Sequence, residues 1–157
     1  NIWAFGDITG RHMYKHAANR EAIYDWHNSQ NEEKVAMHFG AMPSAVFTWP
    51  QIAYIGLREK DIRPDQHVHI GRAYYADVAK GMAMGVQYGF AKALVDGKSG
   101  RILGFHIIGP EASTLIQEVI NVMARRGTVE DIDAGLHIHP AMPELVLTAL
   151  GNAMHTH

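Results

Sequence analysis

The stretch GFAKALVDGKSGRILGFHIIG, residues 89–109, decides the fold class of this chain. Its two apolar runs, residues 89–95 and 101–109, flank a polar segment at 96–100 that contains two glycines. Apolar runs of this length, joined by a short glycine-containing loop, are typical of an antiparallel β-hairpin. The segment therefore predicts two paired antiparallel strands.

Strand patterns precede this hairpin and helix patterns follow it. Residues 45–49 and 52–56 predict two further strands, and residues 68–70 and 73–75 predict weaker ones. After Gly109-Pro110, apolar residues recur at helical spacing and predict helices over 111–126, 128–135 and 143–153. Because strands come first and helices later, we expect the α+β class, an antiparallel β-sheet with helices packed on it.

Composition limits the functions that the chain can have. Its 157 residues suit one domain, or one domain with an appendage. The net charge of −2 and the pI of about 6.6 give no electrostatic reason to expect a nucleic acid partner. No run of about 18 apolar residues occurs, so we expect no membrane partner. The absence of cysteine excludes disulfide frameworks, cysteine-ligated zinc and a thiol nucleophile within the chain.

The domain organisation follows from a polar segment near residue 30. We predict an N-terminal strand and helix over 1–30, a linker over 31–42 and a main domain over 43–154. The chain starts without Met inside an apolar run, so we expect it to be a piece of a longer protein. No signal-peptide pattern precedes that run, and we expect a cytoplasmic location.

Histidine is unusually frequent, with eleven residues. Residues i and i+2 of a strand point to one side, so His-x-His pairs can ligate a metal ion. No compact set of further ligands accompanies these pairs, so we expect no metal site and keep a stand-alone metal-binding module as the alternative. The pairs are His67/His69, His137/His139 and His155/His157.

His139 has a second interpretation, because Glu144 lies in the first turn of the predicted last helix. A nearby carboxylate orients an imidazole and stabilises its protonated form, which suits general acid–base chemistry. The alternative is an ordinary capping or core histidine. An independent hydrolase using this pair is less favoured, since no activated Ser or Thr is evident beside it.

Gly6-Asp7 and the helix opening near Lys15 form another candidate site. A carboxylate after a strand can accept hydrogen bonds from ligand hydroxyl groups, and a helix N-terminus can face an electron-rich ligand. The alternative is a turn aspartate followed by a surface helix.

Taken together, these segments resemble the C-terminal part of the pyridine nucleotide–disulfide oxidoreductases, the flavoprotein family of dihydrolipoamide dehydrogenase and mycothione reductase. Four segments carry the resemblance in the family's order: NIWAFGDITG at 1–10, PSAVFTWPQIAYIGL at 43–57, the hairpin at 89–110, and His139-Pro140 followed by Glu144. Within the family, KHAANREA at 15–22 and HPAMPELV at 139–146 look closest to mycothione reductase and dihydrolipoamide dehydrogenase-like proteins.

The resemblance implies a dimerisation domain preceded by a fragment of an FAD-binding domain. Asp7 would bind the ribityl chain of FAD, with Gly6 allowing close approach of the cofactor, and His16 and Ala17 would line the flavin ring. His139, oriented by Glu144, would be the acid–base catalyst at the active site of the partner subunit in a homodimer. In such enzymes, electrons pass from NAD(P)H through FAD and a redox disulfide to a disulfide substrate.

The chain also departs from the family pattern. It lacks the redox pair C-x4-C and both G-x-G-x-x-G fingerprints. We therefore expect this polypeptide alone to be inactive and to bind FAD weakly or not at all. The sequence leaves open whether the parent enzyme reduces a lipoyl, mycothione or other disulfide, and whether it uses NAD or NADP.

Overall fold

A computed structural model describes residues 2–155 of the chain. The chain divides into two compact units, Asn1–Gly40 and Ala41–His157. Among the described residues, no helix is both long and apolar enough to cross a lipid bilayer.

The first unit is built on one long helix, α1, Lys15–Gln30. A short 3-10 helix, Gly6–Thr9, precedes it. The strand predicted within residues 1–30 is wrong for residues 2–5, which pair with no other strand in the described part of this unit. An extended segment needs a neighbouring strand to satisfy its backbone groups, and this unit supplies none.

The second unit contains a five-stranded, fully antiparallel, open sheet. Its strands are β1, Ser44–Val46; β2, Gln51–Gly56; β3, Val68–Tyr74; β4, Phe90–Asp96; and β5, Ile102–Gly109. They lie in the order β1-β2-β5-β4-β3, so the predicted hairpin β4–β5 occupies the interior of the sheet. The α+β prediction with an antiparallel sheet is confirmed.

The hairpin turn is held by one carboxylate. Asp96 Oδ1 accepts hydrogen bonds from the backbone N–H groups of Lys98 and Ser99, at 2.9 and 2.8 Å, and from Ser99 Oγ at 3.0 Å. The backbone bonds from Ser99 and then Lys98 hold the pKa of Asp96 below its usual value. A turn carboxylate thus sets the register of the two interior strands.

Among the described residues of the second unit there are two short 3-10 helices, Glu59–Asp61 and Tyr75–Asp77. The α-helices described there are α2, Ala79–Ala83; α3, Ala112–Leu115; α4, Gln117–Ala124; α5, Val129–Asp133; and α6, Glu144–Met154. The helix predicted over 111–126 is interrupted at Ile116, whose backbone stays helical while its side chain is buried. The Asp131 carboxylate accepts the Thr128 N–H at 2.7 Å, which completes the capping arrangement predicted for α5.

Helix α6 packs on strands β3 and β4 and contributes five buried residues to the core. Helix α6 can lie this close to β3 because Gly71 of β3 has no side chain. A Cβ atom at this position would overlap the Ala149 carbonyl oxygen and the Ala153 amide nitrogen. Strand β3 is one continuous strand, where the sequence predicted two short ones, because all its residues pair with β4. The packing also fixes the position of Glu144, the first residue of α6.

Candidate active site

The candidate acid–base residues lie where α5 connects to α6. Residues 136–140 form neither helix nor strand, and His139 sits in this connection. Glu144 follows at the N-terminus of α6, where the helix dipole favours a negative charge. The turn between them, residues 140–143, folds the histidine back over the helix end.

The structure brings His139 and Glu144 together. His139 Nδ1 lies 2.8 Å from Glu144 Oε1, and the other carboxylate oxygen, Oε2, accepts the Ala141 backbone N–H at 2.9 Å. The bond from His139, and next that from Ala141, hold the pKa of Glu144 below its usual value. Glu144 is therefore ionised near neutral pH and available to orient the imidazole.

This geometry determines which ring nitrogen is free to react. The ionised carboxylate accepts a hydrogen bond from Nδ1–H, so Nε2 is the nitrogen left to exchange a proton with another molecule. The His139 side chain is 69% exposed, and within residues 2–155 Nε2 makes no hydrogen bond. An oriented, accessible imidazole is suited to general acid–base catalysis on a group brought from outside this unit.

A second histidine–carboxylate pair adjoins the first. His137 Nε2 lies 3.2 Å from Glu118 Oε2, and His137 Nδ1 lies 3.1 Å from the Gly135 carbonyl oxygen. Sequence reasoning considered His137 only as a possible metal ligand beside His139, and it missed Glu118. No local spacing could reveal this pair, because Glu118 lies 19 residues earlier on α4.

The metal alternative gains one contact from the structure. His67 Nε2 and His69 Nε2 lie 3.1 Å apart at the start of β3. Within residues 2–155, however, no group of three or more His, Cys, Asp or Glu side chains could hold a metal ion. The pair His155/His157 cannot be assessed, because His157 lies outside the described residues.

The residues predicted to bind cofactor lie in the first unit. Gly6 is buried with φ of +75°, and its N–H donates to the buried Glu21 carboxylate, which fixes the turn that presents an exposed Asp7. At the N-terminus of α1, His16 is exposed, whereas the Ala17 side chain is buried. Within this unit the whole of Ala17, backbone included, is buried and presents no surface to a ligand.

Comparison with known proteins identifies relatives over most of the chain. Residues 42–150 match the model of the pyridine nucleotide-disulphide oxidoreductase dimerisation domain. Mycothione reductase of Mycobacterium tuberculosis is 37% identical over 158 residues, which cover 95% of this chain and 34% of that protein. Dihydrolipoyl dehydrogenase of Synechocystis is 33% identical over 159 residues, covering 98% of this chain and 33% of that protein.

Solved structures show the same fold. The HOCl-induced flavoprotein disulfide reductase RclA of Escherichia coli matches with a TM-score of 0.88 at 24% identity, over 96% of this chain and 35% of that one. The chain spans about a third of the length of the curated relatives that it matches. These matches show that the chain belongs to the pyridine nucleotide-disulphide oxidoreductase family and carries its dimerisation domain in residues 42–150.

Proposed function

We propose that this chain is part of a homodimeric, cytoplasmic flavoprotein disulfide reductase of the dihydrolipoamide dehydrogenase and mycothione reductase type. In that enzyme, residues 43–154 join two subunits and present His139 and Glu144 to the active site of the partner subunit. The observation that carries the proposal is the 2.8 Å contact between an exposed imidazole and an ionised carboxylate.

The chemistry required of this pair is proton transfer. When a thiol attacks a disulfide, the attacking sulfur must lose a proton and the departing thiolate must gain one. Imidazole can do both near neutral pH, and the Glu144 carboxylate stabilises the imidazolium formed between the two steps. Because Nδ1 is held by Glu144, Nε2 of His139 is the atom that takes and returns the proton.

The exposed apolar surface supports association with a second subunit. Leu136 and Ile138, on either side of His137, are almost fully exposed, and Phe47 and Trp49 after β1 are also highly exposed. Large exposed apolar side chains are characteristic of surfaces that bind another protein. Two of these residues, Leu136 and Ile138, belong to the loop that carries His139, so an interface there would bring the imidazole to another subunit.

The first unit fits part of an FAD site. The exposed Asp7 carboxylate can accept hydrogen bonds from the ribityl hydroxyl groups, and the N-terminus of α1, which has no side-chain cap, can face the flavin. When bound, FAD supplies the relay of an electron pair between NAD(P)H and the redox disulfide. Since the chain has no cysteine and no nucleotide-binding fingerprint, we propose that it is inactive alone and retains neither cofactor.

A second candidate function, a metal-binding module, rests on the 3.1 Å contact between His67 and His69. Zinc titration followed by thermal unfolding distinguishes the metal-binding module from the disulfide reductase proposal, because a ligand that binds the folded state raises the melting temperature of the protein. We expect no shift at micromolar zinc. A shift that is lost in His69→Gln would instead support the metal module.

The test of the main proposal uses the full-length protein that contains this chain. Replacing His139 by Gln should lower disulfide turnover by about 10²- to 10⁴-fold, the usual contribution of a general acid–base group. Reduction of the flavin by NAD(P)H should be unchanged, because that half-reaction does not need this proton transfer. His67→Gln, which changes an exposed histidine just before β3, serves as the control, and full turnover in His139→Gln would reject the proposal.

A further inference from the structure

The loop that carries His139 has very little backbone support. Among the described residues, the N–H and C=O groups of residues 136–140 make no backbone–backbone hydrogen bond. Four of these five residues are exposed, including both large apolar ones, so packing does not hold the loop either. Something else must keep His139 within reach of Glu144.

His137 is the one residue of this loop that is not exposed. Its side chain is 12% exposed, and both ring nitrogens have partners: Glu118 Oε2 on α4, and the Gly135 carbonyl at the start of the loop. The ring therefore ties the middle of the loop to a helix whose Val119 is fully buried in the core. Side-chain bonds of this kind replace the backbone bonds that the loop lacks.

Glu118 is an unusual partner. Its Oε1 is buried and has no hydrogen-bond partner among the described residues, and burial raises the pKa of its carboxyl although the bond to His137 opposes this. A carboxyl group in such a position costs stability, because burial penalises its charged form. The hydrogen-bond partner of this carboxyl group is the imidazole of His137, which holds the loop.

The two pairs also influence each other electrostatically. Positive charge on His137 contributes to the low pKa of Glu144, after the larger effects of His139 and Ala141. The ring of His137 thus acts on the acid–base pair mainly through the backbone that it shares with His139, and its protonated form also favours the ionised Glu144.

We propose that Glu118 and His137 are positioning residues, which anchor residues 136–140 to α4 and so keep His139 hydrogen-bonded to Glu144. The catalytic importance of this anchor rests on the proposed function, but the anchor itself is a property of this chain. It is testable without any disulfide reduction.

The experiment measures which nitrogen of the neutral His139 ring carries the proton, by ¹⁵N–¹H correlation spectra of the folded chain. In the unaltered protein the Nδ1–H form should dominate, because Nδ1 donates to Glu144. Glu118→Ala removes the anchor and should lower the ratio of Nδ1–H to Nε2–H by about tenfold, the effect expected when a charge-assisted hydrogen bond is lost. Glu118→Gln keeps an acceptor for His137 and should restore the ratio.

Two further variants complete the test. Gln117→Ala alters the exposed neighbour of Glu118 on the same helix and should leave the ratio unchanged. If Glu118→Ala does not fold, His137→Leu removes the same bond from the loop side. The proposal is overturned if the anchor-deficient variant that folds keeps the original ratio, or if Gln117→Ala changes it equally. Because the spectra report on the isolated chain, their outcome is independent of whether the full-length protein reduces disulfides.

Discussion

Replacing Gly71 by Ala tests how the fold positions the candidate site. Helix α6 lies so close to β3 that a methyl group at position 71 would overlap backbone atoms of Ala149 and Ala153. Backbone atoms cannot rotate away as a flexible side chain can, so the helix must move off the sheet. Glu144 is the first residue of this helix and would move with it.

The magnitude follows from the kind of contact. Overpacking by one methyl group in a well-packed core costs about 1–3 kcal/mol. Gly151 provides a matched control, since it lies in the same helix and a Cβ there would meet nothing within 4 Å. Gly151→Ala should therefore stabilise the protein by about 0.5–1 kcal/mol, because alanine has the higher helix propensity.

The assay is urea unfolding followed by far-UV circular dichroism. We expect the midpoint to fall for Gly71→Ala and to rise for Gly151→Ala with similar slopes, since neither change alters the surface exposed on unfolding by much. The same chemical change would thus act in opposite directions at two positions. If Gly71→Ala were as stable as the unaltered protein, or if both variants lost stability equally, the close packing of α6 on β3 would be refuted.

Three further predictions concern the core, the hairpin turn and the half-buried carboxyl group of Glu118. Leu150→Ala, at a fully buried position of α6, should cost about 2–5 kcal/mol in the same urea assay. Asp96→Ala removes a carboxylate whose pKa is lowered in the folded protein. The variant should therefore be less stable than the unaltered protein by the full amount at neutral pH, and the difference should shrink as the pH falls below the ordinary pKa of 3.8. A loss of stability that does not depend on pH would count against this. The pKa of Glu118 is raised, so its favourable contribution to stability is complete below the ordinary value of 4.5 and is lost as the pH rises through the raised pKa. The melting temperature of Glu118→Gln should therefore rise relative to that of the unaltered protein between pH 4.5 and 8. A constant difference in melting temperature would contradict this.

Local patterns predicted the parts of the fold that depend on local interactions. The hairpin β4–β5 and the capped helix α5 have their stabilising groups within a few residues, as at Asp96 and Asp131. The strand predicted at residues 2–5 failed because a strand needs a partner, and none lies in the described part of that unit. The continuity of β3 comes from its pairing with β4 over its full length, which the local pattern of residues 68–75 does not reveal.

In the candidate site, too, the contacts between residues close in sequence could be predicted, and those between distant residues could not. His139 and Glu144 are five residues apart, so the motif and the start of a helix were enough to predict their contact. Glu118 could not be found by spacing, because it reaches His137 only after α4 and the loop pack together. Ala17 shows the converse: the resemblance implies a place beside the flavin, whereas the structure buries the whole residue within its unit.

The central claim, that His139 and Glu144 serve another subunit, is tested most directly by mixing two inactive forms of the full-length protein. One form carries His139→Gln, and the other carries serine at the redox cysteines expected upstream of this chain. If each active site combines the histidine of one subunit with the cysteines of the other, half of the randomly mixed dimers contain one working site of two, and about a quarter of the original activity returns. Reassembled dimers without activity would contradict the account.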